Sequence, residues 1–202
     1  MSNGNSESID FLWRSFLNGD DKSFSAIYER HISSLLSYGY KLSHNRELVR
    51  DCIQEIFIDL FSKKEKLSAN IKNLKAYLFV ALRNNLIKKI AQRRKQEILE
   101  IKKGREENIF NVEYSHQYQL IELEVSNEIK SKLNAAVNSL SSRQKEIIYL
   151  KFNEELDYKE ISDILKISVE SSRKLLHRAL LSLREIIKPS AFQKKKLKKV
   201  NF

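Results

Sequence analysis

Proline and glycine are nearly missing from this chain of 202 residues, which has one Pro and four Gly. Strands joined by tight hairpins need more of both, so a sheet-rich fold is excluded. There is a single cysteine, Cys52. It sits in an apolar helical pattern, no intramolecular disulfide can form, and a reduced, cytosolic setting is expected. No long uncharged apolar run occurs, so neither a transmembrane helix nor direct membrane insertion is expected. The N-terminus, "MSNGNSESIDFLWRSF", lacks a basic start followed by an apolar core and does not read as a secretory signal. The four histidines are scattered without zinc-ligand spacing, and neither a metal nor a cofactor is expected.

What is present points to helices and to a polyanion. Leu, Ile, Lys, Glu, Ser and Arg dominate, a composition that suits helices. The formal net charge is +11, which fits either a solvated lysine-rich surface or a nucleic-acid partner. Its distribution is organised. Arg83 to Arg105 holds nine Lys/Arg and two Glu, whereas Glu106 to Glu128 holds six Glu and no Lys or Arg. From Arg173 onward the chain is basic again and runs into "KKKLKK". Basic, acidic, basic suggests two bodies that face nucleic acid, joined by an acidic connector.

The first body covers about Ile9 to Glu97. Ile9, Trp13, Phe16 and Leu17 recur at helical spacing, and Gly19 can end that helix. Asp20 or Asp21 can cap a second helix with the stripe Phe24, Ile27, Tyr28, Ile32, Leu35 and Leu36. A third runs from about Glu47 to Lys64 with Val49, Cys52, Ile56 and Leu60 inward. A fourth starts near Leu74 and passes Arg94, with Leu78, Leu82, Leu86 and Ile90 four apart. The connector, about 98–127, mixes Glu, Asn, Gln and Tyr, and no fold is forced on it. The second body opens with a helix near 125–138. Two capping boxes follow, Ser141–Gln144 and Asp157–Glu160, each marking a helix start. The helix after the first box continues as "KEIIYLKF". A short helix, "YKEISDILK", then a break at "IS", then a helix capped by Ser168 is a helix-turn-helix layout. The expected fold is all-α: two small helical domains joined by a linker, the C-terminal one a helix-turn-helix.

On a wheel, the last helix keeps Val169, Ser172, Leu176, Ala179, Leu180, Leu183 and Ile187 on one side. Ser171, Arg173, Lys174, His177 and Arg178 fall on the other. The first half of such a helix meets base edges, where Arg bonds guanine O6 and N7, and Lys or His reaches acceptors or phosphate. A soluble bundle helix with a basic outer face fits the same wheel. Leu175 is apolar near the exposed side, suited either to packing on a neighbour or to touching a thymine methyl. A second informative stretch is "RDCIQEIFIDLF", Arg50 to Phe61. Its acidic and amide side chains suit either a solvated face or a partner-docking helix.

Three stretches together resemble a known family. "FSAIYERHISSLLSYGYKL" with "DCIQEIFIDLF", then "LKAYLFVALRNNLIKKIAQRR", resemble region 2 of bacterial RNA polymerase sigma factors. "LSSRQKEIIYLKFNEELDYKEISDILKISVESSRKLLHRALLSLRE" resembles region 4. The order, without further regions, is that of the extracytoplasmic-function (ECF) group of the sigma-70 family, and it covers roughly residues 8 to 186. The wording "IKNLKAYLFVALRN" also resembles sigma factors of Bacteroidetes-type bacteria. The resemblance implies region 2 at 8–97, a linker at 98–127, region 4 at 128–187 and a basic tail at 188–202. It implies docking on the β′ clamp helices of core RNA polymerase through Asp51, Gln54, Glu55 and Phe57, with the β flap as a second contact. It implies −10 element binding through Asn70, Asn73, Tyr77, Arg83, Asn84, Asn85, Lys88, Arg93 and Arg94, with stacking, amide bonds and phosphate pairing holding a melted strand. Relatives often carry Asp at the position of Lys88 and Trp at that of Tyr77. It implies −35 element binding through Ser171, Arg173, Lys174, His177 and Arg178; relatives often have a basic residue at Leu175. Promoter DNA and an anti-sigma factor are the further partners implied. The acidic linker matches the family segment that enters the polymerase channels, where its glutamates would mimic RNA phosphates.

Two other readings stand beside this one. A stand-alone helix-turn-helix regulator explains residues 141–187 but leaves "DCIQEIFIDLF" and "YLFVALRNN" idle. A metal-dependent nuclease needs clustered carboxylates; Asp51, Glu55 and Asp59, four apart on one helix, come nearest and more simply form a docking face. No enzyme activity is expected.

Overall fold

The computed structural model describes residues 8–64, 71, 73–100 and 136–187, with the backbone alone for 94–100, 186 and 187. Among the described residues there are helices and turns and no strand. Helix α1 spans Ile9–Leu17, α2 Asp21–Leu42, α3 Arg46–Ser62 and α4 Leu74–Glu100. Then come α5 (Ser142–Ile148), a π-helical turn (Tyr149–Asn153), α6 (Tyr158–Leu165) and α7 (Val169–Ile187). The expected linker beyond residue 100, the tail at 188–202 and most of the helix near 125–138 lie outside the described residues; 136–138 are helical.

Local chemistry sets the helix ends. After α1, Gly19 adopts φ +99°; its N–H bonds Phe16 O at 3.0 Å, and the Asp20 N–H bonds Ser15 O at 3.0 Å. That double closure needs a left-handed residue, which costs a side-chain-bearing residue about 1–2 kcal/mol. Asp20, not Asp21, then caps α2, accepting from the Lys22 N–H at 3.1 Å and the Ser23 hydroxyl at 2.6 Å. Asn45 Oδ1 caps α3 through the Leu48 N–H at 2.9 Å. Both expected capping boxes form, Ser141 with Gln144 and Asp157 with Glu160. The helix after the first box does not continue unbroken through Phe152. One extra residue is taken up in the π turn, where the Glu154 N–H reaches Tyr149 O at 3.2 Å.

The stripe expected on α2 divides into two lines. Ile27, His31, Leu35, Tyr38 and Leu42 are buried. Phe24, Ile32 and Leu36 are half-buried and Tyr28 is exposed; these four face a surface groove instead. Helix α3 buries Val49, Cys52, Ile56 and Leu60, and α4 buries Leu78, Leu82 and Leu86. Each fully buried Leu or Ile contributes about 1.5–3 kcal/mol. Helices α2 and α3 approach so closely at Gly39 that a Cβ there would run into Cγ1 of Val49.

The core does not stop at the first four helices. Ile147, Tyr149, Leu150, Leu156, Ile161, Ile164, Leu165 and Leu176 belong to the same continuous apolar cluster. The two bodies, expected as units tied by a connector, are packed against each other, chiefly through α6 on α4.

Candidate nucleic-acid interface

Helix α7 is built as the wheel describes in its first half. Ser168 Oγ accepts from the Ser171 N–H at 3.0 Å, capping the helix. The turn before it is closed by Lys166 at φ 53°, ψ 51°. Ser172, Leu176 and Ala179 are buried, and Ser172 Oγ donates to Val169 O at 2.7 Å. Arg173, Lys174, His177 and Arg178 are all exposed, as is Ser171. Arg173 rests over the Tyr158 ring at 5.5 Å, and Lys174 pairs with Glu170 at 2.5 Å, so both are oriented while solvated. Leu175 packs against the core, which accounts for an apolar residue at that place. Leu180, expected on the buried side, is 41% exposed.

Helix α4 is basic too, but several of its polar groups, and its cap Asn73, are engaged inside the molecule. Asn73 is its cap, with Oδ1 accepting from the Ala76 N–H at 3.1 Å, and its amide donates to Glu160 of α6. Arg83 is not on an open face: it is buried, and its Nε donates to Glu146 Oε1 at 2.8 Å. The Tyr38 hydroxyl donates to the same oxygen at 2.7 Å. Burial works against the charged guanidinium, but the Glu146 carboxylate more than offsets this and raises the pKa of Arg83. Burial, reinforced by the Glu146 charge, pushes the Tyr38 phenol well above its usual range. Lys75 pairs with the buried carboxylate of Glu154 at 3.0 Å and donates to Glu154 O at 2.7 Å. Beside them His31 is buried with no partner on Nε2; burial, then the charges of Lys75 and Arg30, push it down to about 4. Asn85 donates to Glu55 Oε2 at 3.4 Å. Tyr77 and Asn84 are half-buried, and Lys88 and Arg93 are exposed. Asn70 lies outside the described residues, as does the side chain of Arg94.

On α3, Asp51, Gln54 and Glu55 are exposed. Glu55 accepts from Lys89 at 2.5 Å, tying α3 to α4. Phe57 is buried, edge-on to Tyr28 at 4.8 Å and to Phe24 at 6.0 Å. It is therefore a wall residue and not an open contact. Phe24, Tyr28, Gln54, Phe57, Ile58 and Phe61 help to line a groove of about 600 Å³ between α2 and α3. Burial raises the Cys52 thiol. Among the described residues, no group of His, Cys, Asp and Glu could hold a metal ion, and no helix is long and apolar enough to cross a membrane.

The sequence and the fold of this chain have counterparts among known proteins. Residues 27–96 match the family model for sigma-70 region 2, and residues 130–183 match that for sigma-70, region 4. The chain belongs to the sigma-70 family. It is similar to RNA polymerase sigma factor YlaC of Bacillus subtilis (strain 168), with 23% identity over 163 residues, covering 81% of this chain and 91% of that one. The fold is shared with the sigma factor RpoE solved in complex with the anti-sigma factor NepR from Bartonella quintana. That match has a TM-score of 0.59 at 22% identity, covering 84% of this chain and 99% of the other. CnrH, solved in complex with the cytosolic domain of CnrY, matches with a TM-score of 0.54 at 16% identity, covering 91% and 100%. This sigma factor serves promoter-specific transcription. The stand-alone regulator is not favoured, since it leaves the whole region 2 match without a role.

Sequence reasoning missed Tyr38, Lys75, Glu146 and Glu154, the groups that close region 4 onto region 2. A signal was there: Glu146 lies three and four residues before Tyr149 and Leu150, a charge on an apolar stripe.

Proposed function

We propose that this sigma factor belongs to the ECF group, and that it binds core RNA polymerase and reads −10 and −35 elements with separate bodies. The observation that carries this is α7: a capped helix, packed through Ser172, Leu176 and Ala179, that leaves Arg173, Lys174, His177 and Arg178 in solvent. These groups, with Ser171, suit the major groove of the −35 duplex. Region 2 takes the melted −10 strand through α4 and the segment before it. Tyr77 offers a stacking face, Asn84 and Asn85 offer amides, and Lys88, Arg93 and Arg94 offer phosphate partners. Asn73 and Arg83 complete that set once the two bodies part, and Asn70 is assigned to the same strand. The exposed Asp51, Gln54 and Glu55 dock on the basic β′ clamp helices, and Phe57 supports that surface from below.

The chain lends binding energy and the polymerase does the chemistry, so it is not itself an enzyme. It works where core polymerase works, in the cytoplasm. Two proteins of the same fold were solved with partners, one with the anti-sigma factor NepR and one with the cytosolic domain of CnrY, which supports an anti-sigma factor as a further partner. The wording "IKNLKAYLFVALRN", residues 71–84, supports a Bacteroidetes-type origin. Run-off transcription with core polymerase on genomic fragments tests the function. Specific start sites that require the chain are expected; core binding without promoter selection would overturn the reading.

A further inference from the structure

At the seam between the two bodies, Arg83 of α4 commits its donors to the Glu146 carboxylate. Arg173 of α7 is held differently, and wholly within region 4. Its Cζ lies over the ring of Tyr158, 5.5 Å from the centroid. Lys151 of the π turn lies over the same ring, with Nζ at 5.1 Å, and donates to Leu156 O at 3.0 Å. The backbone that carries the ring is fixed as well. Tyr158 opens α6 directly after the cap Asp157, within the Asp157–Glu160 capping box. Its carbonyl oxygen lies 3.3 Å from Oγ of the buried Ser172 on α7. One half-buried ring thus joins the π turn, α6 and the first half of α7.

A carboxylate and a ring leave an arginine in different states. A carboxylate takes the N–H donors that lie in the guanidinium plane. An aromatic ring takes the flat face and leaves the in-plane donors free. Guanine O6 and N7 need two of those donors at once, in a fixed fork. An unsupported arginine has many rotamers to lose before it presents that fork. Lys174 is paired with Glu170 on its own helix. Among the described residues, Arg173 is the α7 cation held by a ring of another helix. An exposed contact of this kind is weak, so its effect is one of geometry. It narrows where the fork points without occupying it.

We propose that Tyr158 is a positioning residue for base readout: it holds Arg173 by the guanidinium face and aims its free donors at the guanine of one −35 base pair. Lys151 holds the ring from the π turn. The proposal rests on the −35 assignment of α7.

The test uses the full chain with core polymerase, selecting from duplex promoters randomised across the −35 element. The parent should enrich a G·C pair at one position, and Arg173→Ala should lose that preference. Tyr158→Leu should relax the same pair roughly two- to fivefold, the size of an exposed cation–π contact, and leave the other pairs as they are. Tyr158→Phe, which keeps the ring, should retain the preference. In the double variant, Tyr158→Leu should add nothing at that pair to the effect of Arg173→Ala. In the free chain, the NMR signal of the Arg173 Nε–H should be shifted upfield by the ring. The shift should persist in Tyr158→Phe and vanish in Tyr158→Leu. Should Tyr158→Leu lose its helical signal, Tyr158→Met fills similar space without a ring and must relax the same pair. An unchanged preference in the ringless variant overturns the positioning. So does an equal loss at every pair, or a further loss in the double variant, either of which marks a purely structural residue. Relaxation in Tyr158→Phe assigns the effect to the hydroxyl and overturns the ring contact. A pair without guanine at the position lost in Arg173→Ala overturns the choice of base. If Arg173→Ala changes no pair, the −35 role of Arg173 falls and the proposal with it. Absence of any promoter selection by the parent instead counts against the function proposed above, while the NMR shift still reports on the ring contact.

Discussion

Helices α4 and α7 are both basic and both assigned to DNA, yet they hold their charge differently. On α7 the cations stand in water, oriented by Glu170 and Tyr158. Along α4 and its cap, Lys89, Arg83, Lys75 and Asn73 are bound to Glu55, Glu146, Glu154 and Glu160, while Lys88 and Arg93 are exposed. A count of positive residues, seven Lys/Arg on α4 and four on α7, marks both as basic. What separates them is whether a donor must break an internal bond, and desolvate an acceptor again, before it can meet a phosphate. Readiness for DNA is thus a property of the partners a cation already has.

The sharpest way to break this comparison is to neutralise one cation on each helix. Arg83→Met leaves Glu146 buried without its counter-charge and should cost the closed form about 3–5 kcal/mol. Hydrogen exchange at the amides of Ser142–Leu150 reads this directly, and unchanged protection would put Arg83 on the same footing as the α7 cations. Arg173→Ala should instead lower holoenzyme affinity for a −35 duplex by roughly 10–100-fold. Its effect on the unfolding free energy should stay within about 0.5 kcal/mol, as for other exposed sites, in a denaturant titration. A smaller effect comes from acid. The folded pKa of His31 is about 4 against an ordinary 6.5. Below 6.5 the unfolded chain binds the extra proton, so this stability is full above pH 6.5 and is lost as pH falls towards 4. By pH 5 the loss is about 2 kcal/mol, and His31→Leu should flatten that part of a stability-against-pH curve. Because Lys75 and Glu154 act on His31, acid should loosen the seam before it disturbs α7.

Much of this molecule was legible before any coordinates. The caps at Ser141, Asp157 and Ser168, the Leu78–Leu82–Leu86 line and the outward set on α7 follow from spacing and side-chain chemistry within a few residues. The closed seam was not, because it joins groups far apart in the chain: Tyr38 with Glu146, or Lys75 with Glu154. A wheel shows that Glu146 and Arg83 each interrupt an apolar stripe, but not that each is the other's answer. Phe57 was misplaced for a related reason. Its motif marks a docking helix, yet on α3 it points under the surface that Gln54 presents, against Phe24 and Tyr28.

The π turn at Tyr149–Asn153 adjusts phase. Eight residues of unbroken α-helix overshoot two full turns by about 80°, which would swing Glu154 off the line of Glu146. The wider turn takes up much of that angle, so both carboxylates face region 2. Their partners Lys75 and Arg83 are also eight residues apart and are met in the reverse chain direction. The two pairs work like two pins of one plug. Sliding region 4 along α4 by a helical turn would pull both at once, so the bodies have one seating and no graded series of near-fits.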